Sequence, residues 1–161
     1  MIERDHAPDA ELLKCKNLFA HRCQQAGLPS IPLLAEFADG QPIGSLSALL
    51  IKKLISKPST GSKGKGVESW RYDGARHCFF NAVTDKKLSQ SDLLQYFCDL
   101  SASERVIVQE RFQNHEDLSP LANGTLSNIR ILTCRSPSGS IDLMPPVIWV
   151  AAGRIVAANL T

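Results

Sequence analysis

The sequence predicts an α+β protein built on an antiparallel sheet. Short runs rich in β-branched and aromatic residues stand at 31–37, 54–57, 67–72, 77–83 and 105–112. Asp73-Gly74 falls between two of them as a hairpin signal. Two stretches, 9–26 and 89–100, carry apolar residues at helical period instead. With 161 residues, 43% of them hydrophobic and 21% charged, the chain is long enough for a core and too apolar to be disordered.

Asp9 is placed to cap a first helix to about Ala26, with Leu12, Cys15, Phe19, Cys23 and Ala26 on one face. Gly27 and Pro29 then stop it. A strand over 31–37 ends at the turn Asp39-Gly40, and Ser45 can cap a short helix from Leu46 to about Lys53 with Leu46, Leu49 and Leu50 inward. The strand 54–57 follows, then a loop, then a strand through Val67, Trp70 and Tyr72 that turns at Asp73-Gly74 into a returning strand over 77–83. His77 has no carboxylate or cysteine at a revealing spacing and receives no role. Ser89 can cap the next helix, with Leu93, Phe97 and Leu100 as its buried stripe and Leu94 and Cys98 beside it. Arg105 to Phe112 reads as a strand beside that helix. Pro137-Ser138-Gly139 is a turn, and 141–151 with 154–158 reads as a hairpin around Ala152-Gly153.

The formal net charge of +2 is too small to argue for a nucleic-acid partner. Five scattered cysteines form no Cys-x-x-Cys pair, which favours a reduced protein, and Cys15 and Cys23 read as small core residues. The first residues carry charges where a signal peptide needs an apolar run, and no stretch reaches transmembrane length; a cytoplasmic location is the expectation.

The loop after Lys57-Pro58 holds Gly61, Gly64 and Gly66 with Ser62, Lys63 and Lys65. Glycines let backbone N–H groups approach an anion closely, so a strand-loop-strand unit of this kind can cover a polyphosphate. It is not a Walker loop, because Val67 and strand residues follow the last glycine where a helix would open. The plain alternative is a hairpin tip with solvated lysines. Lys57 is expected to outweigh the loop lysines in nucleotide affinity, because the end of an apolar strand fixes its stem. The loop itself, 59–66, is expected to be poorly ordered without nucleotide.

Lys57-Pro58 before that loop resembles the nucleotide-binding core of the ATP-grasp superfamily, in particular its branch associated with sugar transfer and polysaccharide biosynthesis. Lys16-Asn17-Leu18-Phe19 before Ala26-Gly27-Leu28-Pro29 is similar to the family's opening segment, in which a helix lysine reaches the nucleotide phosphates; that role goes to Lys16, with Lys14 as competitor and with Cys15 standing where the family has Asp. The resemblance makes 105–112 the hinge between lobes, with the backbone at Glu110 pairing with the adenine edge and Gln109, Arg111 and Phe112 around it. Asp117, with Glu116 as competitor, would accept from the ribose hydroxyls. Leu126 to Thr133 is similar to the branch's Leu-Asn-Thr-x-Arg, with Ser127-Asn128 in place of Asn-Thr, and implies that Arg130 pairs with phosphate or an acyl phosphate.

On this reading residues 1–44 are the opening helix and lead-in strand, 45–112 the nucleotide-binding lobe, and 113–161 the start of a C-terminal lobe that is incomplete. The implied function is ATP-dependent activation of a small-molecule carboxylate as an acyl phosphate, for attack by an amine. Mg2+ would be held by a Glu-x-Asn sequence not found in 141–161, so its ligands are expected beyond the end of the chain and the chain alone is expected to be inactive. A non-catalytic nucleotide-binding module is the alternative, and a small RNA-touching domain with a basic hairpin is the third class.

Overall fold

The computed structural model describes residues 10–46, 49, 53–62, 64–81, 83–122 and 126–150. The chain divides into two compact units, Met1–Arg111 and Phe112–Thr161. The protein is α+β, and its strand pairs are antiparallel, as expected.

The first unit opens with helices α1 (Ala10–Lys14) and α2 (Lys16–Gln25). One continuous helix was expected. Cys15 takes an extended conformation (φ −100°, ψ 106°) and divides it. The break turns the helix, so Asn17, Ala20 and Cys23 are buried while Phe19 is 46% exposed. Polar contacts made by Asn17 decide which face turns inward. The expected cap, Asp9, lies outside the described residues.

Strands β1 (Leu33–Ala38) and β2 (Gln41–Ile43) form a hairpin through Asp39-Gly40, both at positive φ as a tight hairpin turn requires. The short helix expected from Leu46 falls mostly on residues outside the description; Leu49 is buried and Lys53 already belongs to a strand. Strands β3 (Lys53–Pro58) and β4 (Glu68–Asp73) pair antiparallel, with Leu54 opposite Trp70. Next comes β5 (Cys78–Phe80), shorter than the run 77–83 suggested. Asn81 ends it: fully buried, its Oδ1 accepts the amides of Val83 and Thr84 and turns the chain. The two-residue strand β6 (Lys87–Leu88) leads to α3 (Gln90–Ser101), whose cap Ser89 accepts the Asp92 amide at 3.1 Å. Leu93, Phe97 and Ser101 face inward and Leu100 does not, because i, i+4, i+8 follows one line down this helix.

Strand β7 (Val106–Glu110) completes a seven-stranded sheet in the order β2-β1-β7-β3-β4-β5-β6. One face packs on α3. There Phe37, Leu54, Trp70, Phe79, Val106 and Val108 meet Leu93 and Phe97 in one core, with the Phe37 and Phe97 rings 5.4 Å apart. Burying each such side chain stabilises the fold by about 1.5–3 kcal/mol. Trp70 keeps its indole N–H satisfied by donating to Ser56 Oγ at 3.2 Å. Alternation places Glu36, Ile55, Lys57, Ile107 and Gln109 on the opposite face, toward α2.

The described residues of the second unit contain a 3-10 turn (Ser119–Leu121) and four short strands, β8 (Asn128–Arg130), β9 (Thr133–Arg135), β10 (Ile141–Leu143) and β11 (Val147–Trp149). They pair as two ribbons, β9 with β10 and β8 with β11. The expected single strand over 141–151 is thus two, because Pro145-Pro146 between them cannot donate to a ladder. The hairpin expected around Ala152-Gly153 lies outside the described residues.

Candidate functional site

The glycine loop springs from β3 and returns through β4 on the first unit. Its first residues are held firmly. Ser59, 2% exposed, donates its amide to the Arg105 carbonyl at 2.8 Å and its hydroxyl to Asn17 Oδ1. The Ser59 carbonyl accepts the Lys16 amide at 2.9 Å, and the Thr60 hydroxyl donates to Glu104. Further along, the amides of Lys65 and Val67 donate to the carbonyls of Ser62 and Gly64. Gly66 is required twice over: its φ is +69°, and a Cβ there would stand 2.8 Å from Pro58 Cγ.

Lys16 does not extend into open space as a phosphate contact would. Its ammonium donates toward four successive carbonyls, Pro58 (3.2 Å), Ser59 (3.3 Å), Thr60 (2.7 Å) and Gly61 (3.0 Å). Burial lowers its pKa from the usual lysine value, opposed by the nearby Glu104 carboxylate.

Lys57 is half-buried opposite Ile107, and its ammonium makes no hydrogen bond or ion pair with any described residue. Burial pushes its pKa below the usual value, and the charge of Lys16 pushes the same way. An unpaired, partly desolvated ammonium beside a second cation is unfavourable by itself and attracts an anion.

Beneath the loop lies a polar cluster that the sequence reading did not anticipate. Glu36, 7% exposed in the middle of β1, accepts from Asn17 Nδ2 (3.3 Å) and Arg105 Nη1 (3.4 Å) and pairs with His21 Nε2. The signal was present: a lone carboxylate inside the apolar run Leu33-Leu34-Ala35-Glu36-Phe37 needs partners if it is buried. Asn17 joins this cluster to Ser59 and so to the loop.

At the other end of β7, Gln109 is buried and its side chain donates to the Ile31 carbonyl at 3.0 Å, which fixes the approach to β1. Arg111 donates its amide to the Lys53 carbonyl, so β7 follows β3 one residue past Glu110. Strand alternation then turns the backbone groups of Glu110 toward β1, where the register is irregular between Leu33 and Ala35. The Glu110 side chain is exposed. From the Lys57 partner Ile107 to Glu110 is three residues, roughly 10 Å of strand.

The structure thus places Lys57, Gln109 and Glu110 on the neighbouring strands β3 and β7 and Lys16 at the start of α2 against the base of the loop, with Ser62, Gly64 and Gly66 in the loop between β3 and β4. Lys63 lies outside the described residues. Phe112, Asp117 and Arg130 belong to the second unit. There Phe112 is 45% exposed, and Asp117 lies 3.3 Å from His115 Nδ1 on the surface. Arg130 is exposed, opposite Val147 in the β8–β11 ribbon, with its guanidinium 5.1 Å from the centre of the Trp149 ring. All five cysteines are free thiols. Among the described residues no group of His, Cys, Asp and Glu could hold a metal ion, and no helix is long and apolar enough to cross a membrane. The described residues therefore do not fit a magnesium site. Against known protein families, curated proteins and solved structures the chain finds no match.

Proposed function

We propose that the chain binds a nucleoside triphosphate, with ATP as the nucleotide, on the α2 face of the first unit's sheet. The glycine loop serves as the phosphate cover and Lys57 as the charged contact. One observation carries this reading: Lys57 is a half-buried ammonium without a partner among the described residues, on the strand that feeds the loop. The end of β7 supports it, since Glu110 stands one residue before the boundary between the units and offers backbone groups that can match an adenine edge. The wider reading belongs to the same proposal: a cytoplasmic ATP-grasp-like ligase domain that activates a small-molecule carboxylate as an acyl phosphate, in polysaccharide or cell-surface biosynthesis.

Calorimetry with ATP, ADP and adenosine, with and without Mg2+, tests the binding reading. ATP should bind better than adenosine at low salt. Lys57→Ala should weaken ATP by about 1–3 kcal/mol, the range for losing a charge-assisted hydrogen bond, and leave adenosine unchanged. Equal binding of ATP and adenosine by the unmodified chain, or full ATP affinity in Lys57→Ala, overturns it. A steep salt dependence for single-stranded RNA, with no preference for ATP, would move the loop to nucleic-acid binding.

A further inference from the structure

The four carbonyls around the Lys16 ammonium belong to consecutive residues, Pro58 to Gly61. In a strand successive carbonyls point to opposite sides, so four can converge on one point only if the chain leaves the strand and curls. It does so directly after β3, and Gly61 at φ +83° lies within the curl. Convergent carbonyl dipoles repel one another unless a cation sits at their focus. Backbone oxygens surround a dehydrated potassium ion in the same manner. Here the cation is covalently attached, on the first residue of α2, whose own amide is also bonded to Ser59.

An ammonium has three donors. All three are engaged by four acceptors within 3.3 Å, so a phosphate oxygen could be met only by giving up the carbonyls that shape the loop. We infer that Lys16 is a positioning residue: a tethered cation that organises the carbonyls of residues 58–61 and so sets the base of the glycine loop, without touching the nucleotide. This deepens the nucleotide-binding reading and rests on it only for its effect on affinity; the cation's effect on the loop stands apart from any nucleotide.

The test begins with the nucleotide-free chain. In Lys16→Met, hydrogen exchange at the amides of Ser59 and Val67 should speed up on the order of tenfold while the amides of α3 keep their protection. Ammonium or potassium ions should restore most of that protection, and tetramethylammonium at equal ionic strength should not, because it is too large for the carbonyl focus. Lys16→Arg should remain unprotected, since a planar guanidinium cannot direct its donors to one point. In the unmodified chain the Lys16 ammonium should give its own slowly exchanging proton-nitrogen resonance before any nucleotide is added. Unchanged loop exchange in Lys16→Met, rescue by all three salts alike, or an ammonium resonance averaged with water overturns the inference. The resonance decides the matter even if the variants fail to fold. If ATP binds, that resonance should keep its position at saturation, and a phosphate-induced shift would make Lys16 a ligand instead. If ATP does not bind, the exchange and resonance results still stand, and the nucleotide reading alone is lost.

Discussion

In the first unit Phe37, Trp70 and Phe97 are fully buried between the sheet and α3, whereas in the second Ile129, Leu132, Ile141 and Leu143 are each more than half exposed. Ala122 is the one buried hydrophobic residue among the described residues of the second unit. The residue types are similar; the number of layers is not. A seven-stranded sheet with a helix across it closes a core, while the described residues of the second unit form two separate two-stranded ribbons without a helix of their own across them. Apolar alternation in a sequence is therefore evidence for strands in both units and for a core in only one.

The sharpest way to break this comparison is to truncate a large side chain in each unit. Phe97→Ala should destabilise the first unit by about 3–5 kcal/mol, whereas Ile148→Ala should stay within about 0.5 kcal/mol, as exposed substitutions do. Urea unfolding checks both, followed by Trp70 fluorescence in a Trp149→Phe background for the first unit and by amide exchange of β8 and β11 for the second, and comparable losses would mean that the second unit has a core of its own.

The two faces of the first sheet differ as well: the one on α3 is apolar, and the one toward α2 sets Glu36 and Gln109 among Ile55 and Ile107. Glu36→Ala should cost about 1–3 kcal/mol, because it strands the buried donor of Asn17. Its signature is that faster exchange spreads to the Ser59 amide, because the Ser59 hydroxyl is bonded to Asn17 and Asn17 to Glu36. Glu36→Ala exchange confined to β1 would disconnect the polar face from the loop.

Within the loop, Gly66→Ala should cost about 1–2 kcal/mol for its left-handed backbone, with a further loss where the new methyl meets Pro58. Gly61→Ala carries the backbone term alone, since nothing lies within 4 Å of its Cβ position. Thermal unfolding of the pair should rank Gly66→Ala lower. Equal midpoints would remove the Pro58 contact from the account.

The smallest effect is a pH dependence. Folding lowers the Lys57 pKa below 10.5, so the unfolded chain binds its proton more tightly than the folded one. Stability contributed by this residue is then least at neutral pH and rises as pH climbs from the folded pKa toward 10.5. Lys57→Met should flatten that rise, and ATP affinity of the unmodified chain should fall over the same window as the ammonium is lost. Urea midpoints of the two proteins measured against pH give the difference directly.

Much of the first unit was legible because local signals and burial agree there. Asp39-Gly40 and Asp73-Gly74 announced turns, Ser89 announced the α3 cap, and Leu93 and Phe97 announced its buried line. The failures occur where one long-range polar contact outweighs a local pattern. Of the apolar stripe Leu12, Cys15, Phe19 and Cys23 only Cys23 is buried, because the bonds of Asn17 with Glu36 and Ser59 rotate the inward face to Asn17, Ala20 and Cys23. Lys16 was legible as a cation near a glycine loop; its four carbonyl partners lie more than forty residues away and leave no trace in spacing. Lys57 was legible because its environment is local, an apolar strand ending at the loop.

The position of β7 has a consequence for the order in which the molecule can be made. It is the last strand of its unit along the chain, yet it lies third across the sheet, between β1 and β3. During synthesis the ribbon of β1 and β2 and the meander of β3 to β6 emerge as two edges facing each other with a strand-wide gap. Neither can hydrogen-bond to the other until residues 106–110 arrive. Closure is thus a single late insertion that joins distant stretches of chain, the kind of step that makes folding slow. A nascent chain stalled before Val106 should leave Trp70 open to collisional quenchers, and one extended past Glu110 should not.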